Sequence, residues 1–110
     1  MLNMIELKIR FQKDIKKLKD EEVIAIKSAK KNRMFFVLKD GDQIIFDDCG
    51  YGEYVYVVDF IEKEYMHTFK KLVKLEFPRS NKVWYNIITK KQYYSYKSFD
   101  EIYEIDCEES

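Results

Sequence analysis

With 110 residues, 46% of them hydrophobic and 16% aromatic, the chain has enough apolar mass for one core, which excludes disorder despite a charged fraction of 36%. Its 20 basic and 20 acidic side chains cancel, so the uniformly basic footprint of a typical nucleic-acid-binding domain is missing. Cys49 and Cys107 stand far apart without metal-ligand partners at short spacing, which excludes a disulfide framework or zinc motif and points to a reducing compartment.

The opening residues reach Glu6, Lys8 and Arg10 before any apolar run forms, so no secretory signal is expected. No stretch approaches membrane-spanning length, and a cytoplasmic location with no membrane partner is the expectation. From Met4 to Phe11 the apolar residues Ile5, Leu7, Ile9 and Phe11 alternate with Glu6, Lys8 and Arg10, predicting a half-buried strand. The lysine-rich stretch Gln12 to Glu22, with Ile15 and Leu18 three apart, predicts a short helical turn on the surface. Two β-rich runs follow, Val23 to Ser28 and Met34 to Leu38. The second is apolar on both faces and reads as an interior strand. Asp40-Gly41 inside Lys39 to Asp42 marks a tight hairpin turn into a strand over Gln43 to Asp47. Gly50 and Gly52 then mark Asp48 to Glu53 as a loop.

Between Tyr54 and Lys74 there is neither glycine nor proline, and two readings compete. Tyr54 to Val58 has strand composition, whereas a helix over about 56–74 puts Val57, Val58, Ile61, Tyr65, Phe69, Leu72 and Val73 on one face. Acids lead and lysines follow, the order that a helix dipole favours, so the long amphipathic helix is preferred. Pro78 breaks the pattern, Lys82 to Ile88 reads as a strand, and Thr89-Lys90-Lys91 turns into a further strand over Tyr93 to Tyr96. Ser98-Phe99-Asp100-Glu101 matches a capping box for a short terminal helix carrying Ile102 and Ile105, ahead of an acidic tail from about residue 106. The expected architecture is one α+β domain over 1–110. It has a mostly antiparallel sheet of five to seven strands, one long helix packed on it and a short C-terminal helical turn.

Residues Glu22 to Asp47, reading EVIAIKSAKKNRMFFVLKDGDQIIFD, resemble the opening strands of LytTR-type bacterial DNA-binding domains in their strand, hairpin and Lys-Asp-Gly turn. The resemblance covers about a quarter of the chain. The later basic element of that family is absent, and neither function nor site residues carry over.

Function is approached through charge. Residues 1–33 carry a net +5, 34–68 a net −6, 69–91 a net +6 and 92–110 a net −5. Such sorting steers charged partners when it survives folding as surface patches. Only Arg10, Arg33 and Arg79 supply the planar fork that clamps phosphate or carboxylate; the other basic side chains are lysine, a bias that resembles an AT-rich coding genome. There is no glycine-rich phosphate loop, Cys-x-x-Cys or His-Glu-x-x-His, and His67 is a lone histidine on a lysine-rich face, so no enzyme, cofactor or metal is expected.

The leading expectation is a non-enzymatic protein-binding module of inhibitor or immunity type, encoded by a phage or mobile element. Its acidic surface of Asp40, Asp42, Asp47, Asp48 and Glu53, anchored by Tyr51 and Tyr54, would face a basic partner protein. The alternative is nucleic-acid binding by the basic aromatic segment 70–96, through Lys82, Trp84, Lys90 and Lys91.

Overall fold

The computed structural model describes residues 1–50 and 53–97. A short strand β1 (Leu2–Asn3) leads into helix α1 (Met4–Lys17), followed by strands β2 (Glu22–Ser28), β3 (Met34–Asp40), β4 (Gln43–Asp48) and β5 (Val55–Asp59). Helix α2 (Glu62–Glu76), strand β6 (Lys82–Thr89) and a final helix α3 over 90–97 complete the described chain. All six strands form one antiparallel sheet in the order β1-β6-β2-β3-β4-β5. The expected α+β class with helices on an antiparallel sheet is observed.

The segment predicted as a strand over Met4 to Phe11 is the first half of α1. Leu7, Phe11 and Ile15 are buried at four-residue spacing, and Leu18 extends the stripe, whereas Ile5 and Ile9 are 75% and 62% exposed. An alternating run of eight residues also contains the i, i+4 pair of a helix, and the continuation to Ile15 decides between them. The start is fixed by a capping box. The Asn3 carboxamide accepts from the Glu6 N–H at 2.8 Å, and the Glu6 carboxylate accepts from the Asn3 N–H at 3.1 Å.

The helix expected over about 56–74 begins later, at Glu62, and Val55–Asp59 is a strand. Tyr56 lies opposite Phe46 and Val58 opposite Ile44, so the β-branched and aromatic run gains a ladder on the edge of β4 that a helix would forgo. The apolar face predicted for the helix holds from Tyr65 onward: Tyr65, Phe69 and Leu72 are buried, while Val57 and Ile61 are each 53% exposed. The strand predicted over Tyr93 to Tyr96 is instead α3. Thr89 and Gln92 form a second reciprocal cap, with Gln92 N–H to Thr89 Oγ1 at 3.0 Å and Thr89 N–H to Gln92 Oε1 at 2.9 Å. The expected helix beyond Ser98 and the acidic tail lie outside the described residues.

The core has two layers. On one face Ile24, Ile26, Phe35, Val37, Ile44 and Phe46 meet Leu7, Phe11 and Ile15 of α1 and Tyr65, Phe69 and Leu72 of α2. At its centre the rings of Phe11 and Phe69 stack 4.0 Å apart and 3° from parallel. On the other face Val23, Ala25, Met34, Phe36 and Leu38 lie beneath Tyr93 and Tyr96 of α3. Strand β3 is therefore buried on both sides, the interior position its composition predicts. Gly41 takes φ +59 in the turn between β3 and β4, the left-handed conformation that the Asp-Gly pair is chosen for.

Candidate functional site

The structure separates the predicted acidic surface. Asp40 and Asp42 are exposed at the tip of the β3–β4 hairpin, while Asp47, Asp48, Glu53 and Tyr54 lie at the far end of β4. Glu53 and Tyr54 are exposed, but Asp47 and Asp48 are only 6% and 2% exposed. Tyr51 lies outside the described residues. Strand alternation sends the two adjacent aspartates into opposite layers of the core.

Asp47 faces α3. It accepts a short hydrogen bond from the Tyr93 hydroxyl, a hydrogen bond from the Cys49 thiol at 3.4 Å and an ion pair from the Lys97 ammonium at 3.2 Å. Lys97 also approaches the Cys49 sulfur at 3.2 Å. Burial, and then the hydrogen bond to Asp47, pushes the Tyr93 hydroxyl far above its usual range. Burial likewise outweighs the Lys97 contact and pushes the Cys49 thiol up to about 11, so the sulfur stays protonated, donating to Asp47 beside it and accepting from Lys97 of α3.

Asp48 faces α2. Its Oδ1 accepts from the Gly50 N–H at 3.2 Å, and its Oδ2 meets no donor among the described residues. Beside it lies the carboxyl of Glu76, itself 1% exposed. Burial, then the Glu76 hydrogen bond, raises the Asp48 carboxyl to about 7. Among the described residues no three His, Cys, Asp or Glu side chains gather as a metal site.

The predicted nucleic-acid residues are also divided. Lys82 and Trp84 stand at one end of β6, and Lys90 and Lys91 follow its other end, where the Lys90 N–H bonds the Glu21 carbonyl at 2.8 Å. The Trp84 indole N–H donates to the Ala29 carbonyl at 3.3 Å, and the Lys31 ammonium lies 5.2 Å from its ring centre. The indole therefore braces a loop, with part of its surface left open.

What the sequence does not display is the company that Lys82 keeps. An open cleft of about 1040 Å³ at this end of the sheet is lined by Lys30, Arg33, Arg79 and Lys82 together with Met1, Ser28, Asn32, Ser80 and Asn81. One wall is the β2–β3 connection. The Ser28 N–H donates to the Arg33 carbonyl at 2.8 Å, the Lys31 N–H to the Ser28 carbonyl at 2.8 Å, and the Ser28 hydroxyl to Asn32 Oδ1 at 2.9 Å. Lys31 adopts φ +58, a strained position for a lysine that this network enforces. The other wall is the turn beyond α2, where the Phe77 N–H closes the helix on Val73 at 2.9 Å and Ser80 bonds Phe77 at 3.3 Å. The positive block of 1–33 and that of 69–91 thus meet in space. Among the described residues Glu76 is the single acid in the lining, and it is buried.

His67 lies exposed in a second groove, about 910 Å³, between α1 and α2, among Lys8, Asp59, Glu62, Lys63 and Lys70. Thr68 also lines this groove, its hydroxyl donating to the Glu64 carbonyl at 3.3 Å. Among the described residues no helix is long and apolar enough to cross a membrane. No protein-family model, curated protein or solved structure matches the chain.

Proposed function

We propose that the chain is a non-enzymatic binding module that receives the sugar-phosphate backbone of a nucleic acid in the cleft between the β2–β3 connection and the end of α2. The convergence of Lys30, Arg79 and Lys82, drawn from distant parts of the chain with no exposed carboxylate among the described lining residues, carries this reading. Lys30, Arg79 and Lys82 on cross-bonded loops offer a preorganised positive surface, and phosphate contacts supply affinity without a catalytic group. The partly open Trp84 beside Lys82 offers a ring for a stacked base. The net charge of zero does not oppose this, because the field that an approaching strand meets is that of the near end of the molecule. An inhibitor role through an acidic face loses its support once Asp47 and Asp48 are internal.

Binding of single-stranded DNA, RNA and duplex DNA is to be measured across about 20 to about 200 mM salt. Three phosphate contacts to a single strand give a slope of log affinity on log salt of about −2, at roughly −0.7 per contact. The double substitution K30A/R79A is expected to flatten that slope by about 1.4. No binding of any of the three at the lowest salt, or a double variant that binds as the parent does, overturns the reading.

A further inference from the structure

We propose that β5 is an interaction surface for a second copy of this chain, the two β5 strands pairing antiparallel about a two-fold axis through Val57 and so joining their sheets. Among the described residues β5 is the last strand of the sheet, and its partner there is β4 alone. The strand reads Val-Tyr-Val-Val-Asp, without the lysine or proline that blunts an exposed edge. Val55 and Val57 are 64% and 53% exposed, and Tyr54 and Ile61 flank them at 60% and 53%. The opposite margin of the sheet is better covered, since β1 pairs with Lys82 and Val83 and Gln92 takes the Thr89 N–H.

The ladder with β4 fixes which backbone groups face outward. The Asp48 N–H donates to the Tyr54 carbonyl and the Phe60 N–H to the Asp42 carbonyl, both at 2.8 Å, so Tyr56 and Val58, in step with them, turn their backbone groups to β4. Val55, Val57 and Asp59 between them turn theirs to the open edge. Of these, the Asp59 carbonyl already accepts from the Ile61 N–H at 2.7 Å and keeps a second lone pair. The side chains alternate in the same way: Tyr56 and Val58 pack toward α1 and α2, and Val55 and Val57 stand on the face that carries α3.

A second copy fits because the strand complements itself. In the register centred on Val57, the outward groups of Val57 meet those of the partner's Val57, those of Val55 meet those of the partner's Asp59, and Tyr56 lies against the partner's Val58. Asp59, the one charge on the strand, then faces a valine. A shift by two residues in one direction sets Asp59 opposite the partner's Glu53, a like charge. The same shift the other way sets Val55 opposite the partner's Ile61, whose N–H is already bonded within its own turn. The ammonium of Lys71, 5.1 Å from the Tyr56 ring centre, comes from α2 and leaves the edge itself uncharged up to Asp59. Among the described residues none from β5 lines the cationic cleft, so the pairing leaves that cleft open and does not depend on what it binds. Two-fold pairing uses the same edge on both copies and closes as a dimer.

Sedimentation velocity of the full chain from about 5 to about 500 μM is expected to show a monomer–dimer equilibrium half-complete at about 100 μM, because one strand pair buries less than the roughly 1,200 Å² of a standard interface. V57K, at an exposed position, sets two ammonium groups against each other at the axis and is expected to weaken the dimer at least about tenfold, as is V57E with two carboxylates. An equimolar mixture of V57K and V57E is expected to restore it, because opposite charges then meet across the axis. Amide exchange on the parent alone gives a second reading: the N–H groups of Val55, Val57 and Asp59 are expected to slow as concentration rises, while those of Tyr56 and Val58, held by β4, stay unchanged. A parent that remains monomeric over this range, a V57K dimer as tight as the parent's, or a mixture no tighter than either variant alone overturns the proposal. Species that keep growing past the dimer also overturn it, since they mark head-to-tail pairing of β5 with the open part of β6.

Discussion

Replacing Phe11 by alanine is expected to cost about 4 kcal/mol of stability, and replacing Ile9, two residues earlier, less than about 0.5 kcal/mol. Phe11 is fully buried, its ring stacked on Phe69 at 4.0 Å and meeting Phe46 and Tyr65 with centroids 6.2 and 6.3 Å away. Phenylalanine-to-alanine changes in cores cost roughly 3–5 kcal/mol, and loss of the aromatic pairing moves this site to the middle of that range or above. Ile9 is 62% exposed on a helix whose propensity alanine improves by a few tenths of a kcal/mol. Urea unfolding followed by far-UV circular dichroism measures both, with unchanged m-values as the check that the unfolded reference is the same. Were this segment a strand, Ile9 and Phe11 would share one face and both substitutions would be costly. An Ile9→Ala loss above about 2 kcal/mol, or a Phe11→Ala loss below about 1 kcal/mol, refutes the helical stripe.

The raised Asp48 carboxyl also sets a pH dependence of folding. The native state keeps, up to about 7, a proton that the unfolded chain releases near 4, so stability falls as pH rises through that interval and levels off above it. At about 1.4 kcal/mol per pH unit the ceiling is about 4 kcal/mol, and Asp48→Asn is expected to remove this decline in urea midpoints between pH 4 and 8. Gly50→Ala is expected to cost about 1–3 kcal/mol by thermal or urea unfolding, because the added methyl meets Glu76 and the Met34 nitrogen; an unchanged midpoint would contradict the close approach. Thr89→Ala removes half of the cap on α3 and is expected to lower stability by about 1 kcal/mol, with faster hydrogen exchange across 90–97.

Elements with one dominant signal were legible in the sequence. Met34 to Leu38 is a short apolar run that only a doubly covered strand accommodates, and Asp40-Gly41 leaves little choice of turn. Helices entered through side-chain caps were harder to read, because Asn3 with Glu6 and Thr89 with Gln92 are ordinary polar residues until their spacing of three is noticed. The strand over Val55–Asp59 was one of two competing readings and lost to the helix because its residues also continue the helical periodicity of α2, and the ladder with β4 that settles the choice is non-local.

The site was legible only in pieces. Two adjacent aspartates at a strand end read as surface, since carboxylates are seldom buried without partners, and the partners Tyr93, Lys97 and Glu76 are 28 or more residues away along the chain. Lys82 was recognised, but Lys30 and Arg33 across the cleft belong to the other basic block, 1–33, and no pattern within one segment announces a cleft built by two.

The position of β6 has a consequence for how the chain assembles. Strands β2 to β5 follow one another as neighbours, whereas β6 inserts between β1 and β2 and pairs Ser28 and Leu2 with the same Val83. The meander closes through short loops, and the two pairings of β6 must wait for the entropy of a much longer closure. Until then the inner edge of β2, with Ile24 and Ile26, stands open as a template for another chain. Assembly therefore ends where binding is proposed to begin, since β6 brings Lys82 to the cleft, and protection of β6 amides later than those of β3 and β4 in pulse-labelled refolding is the expected record of that order.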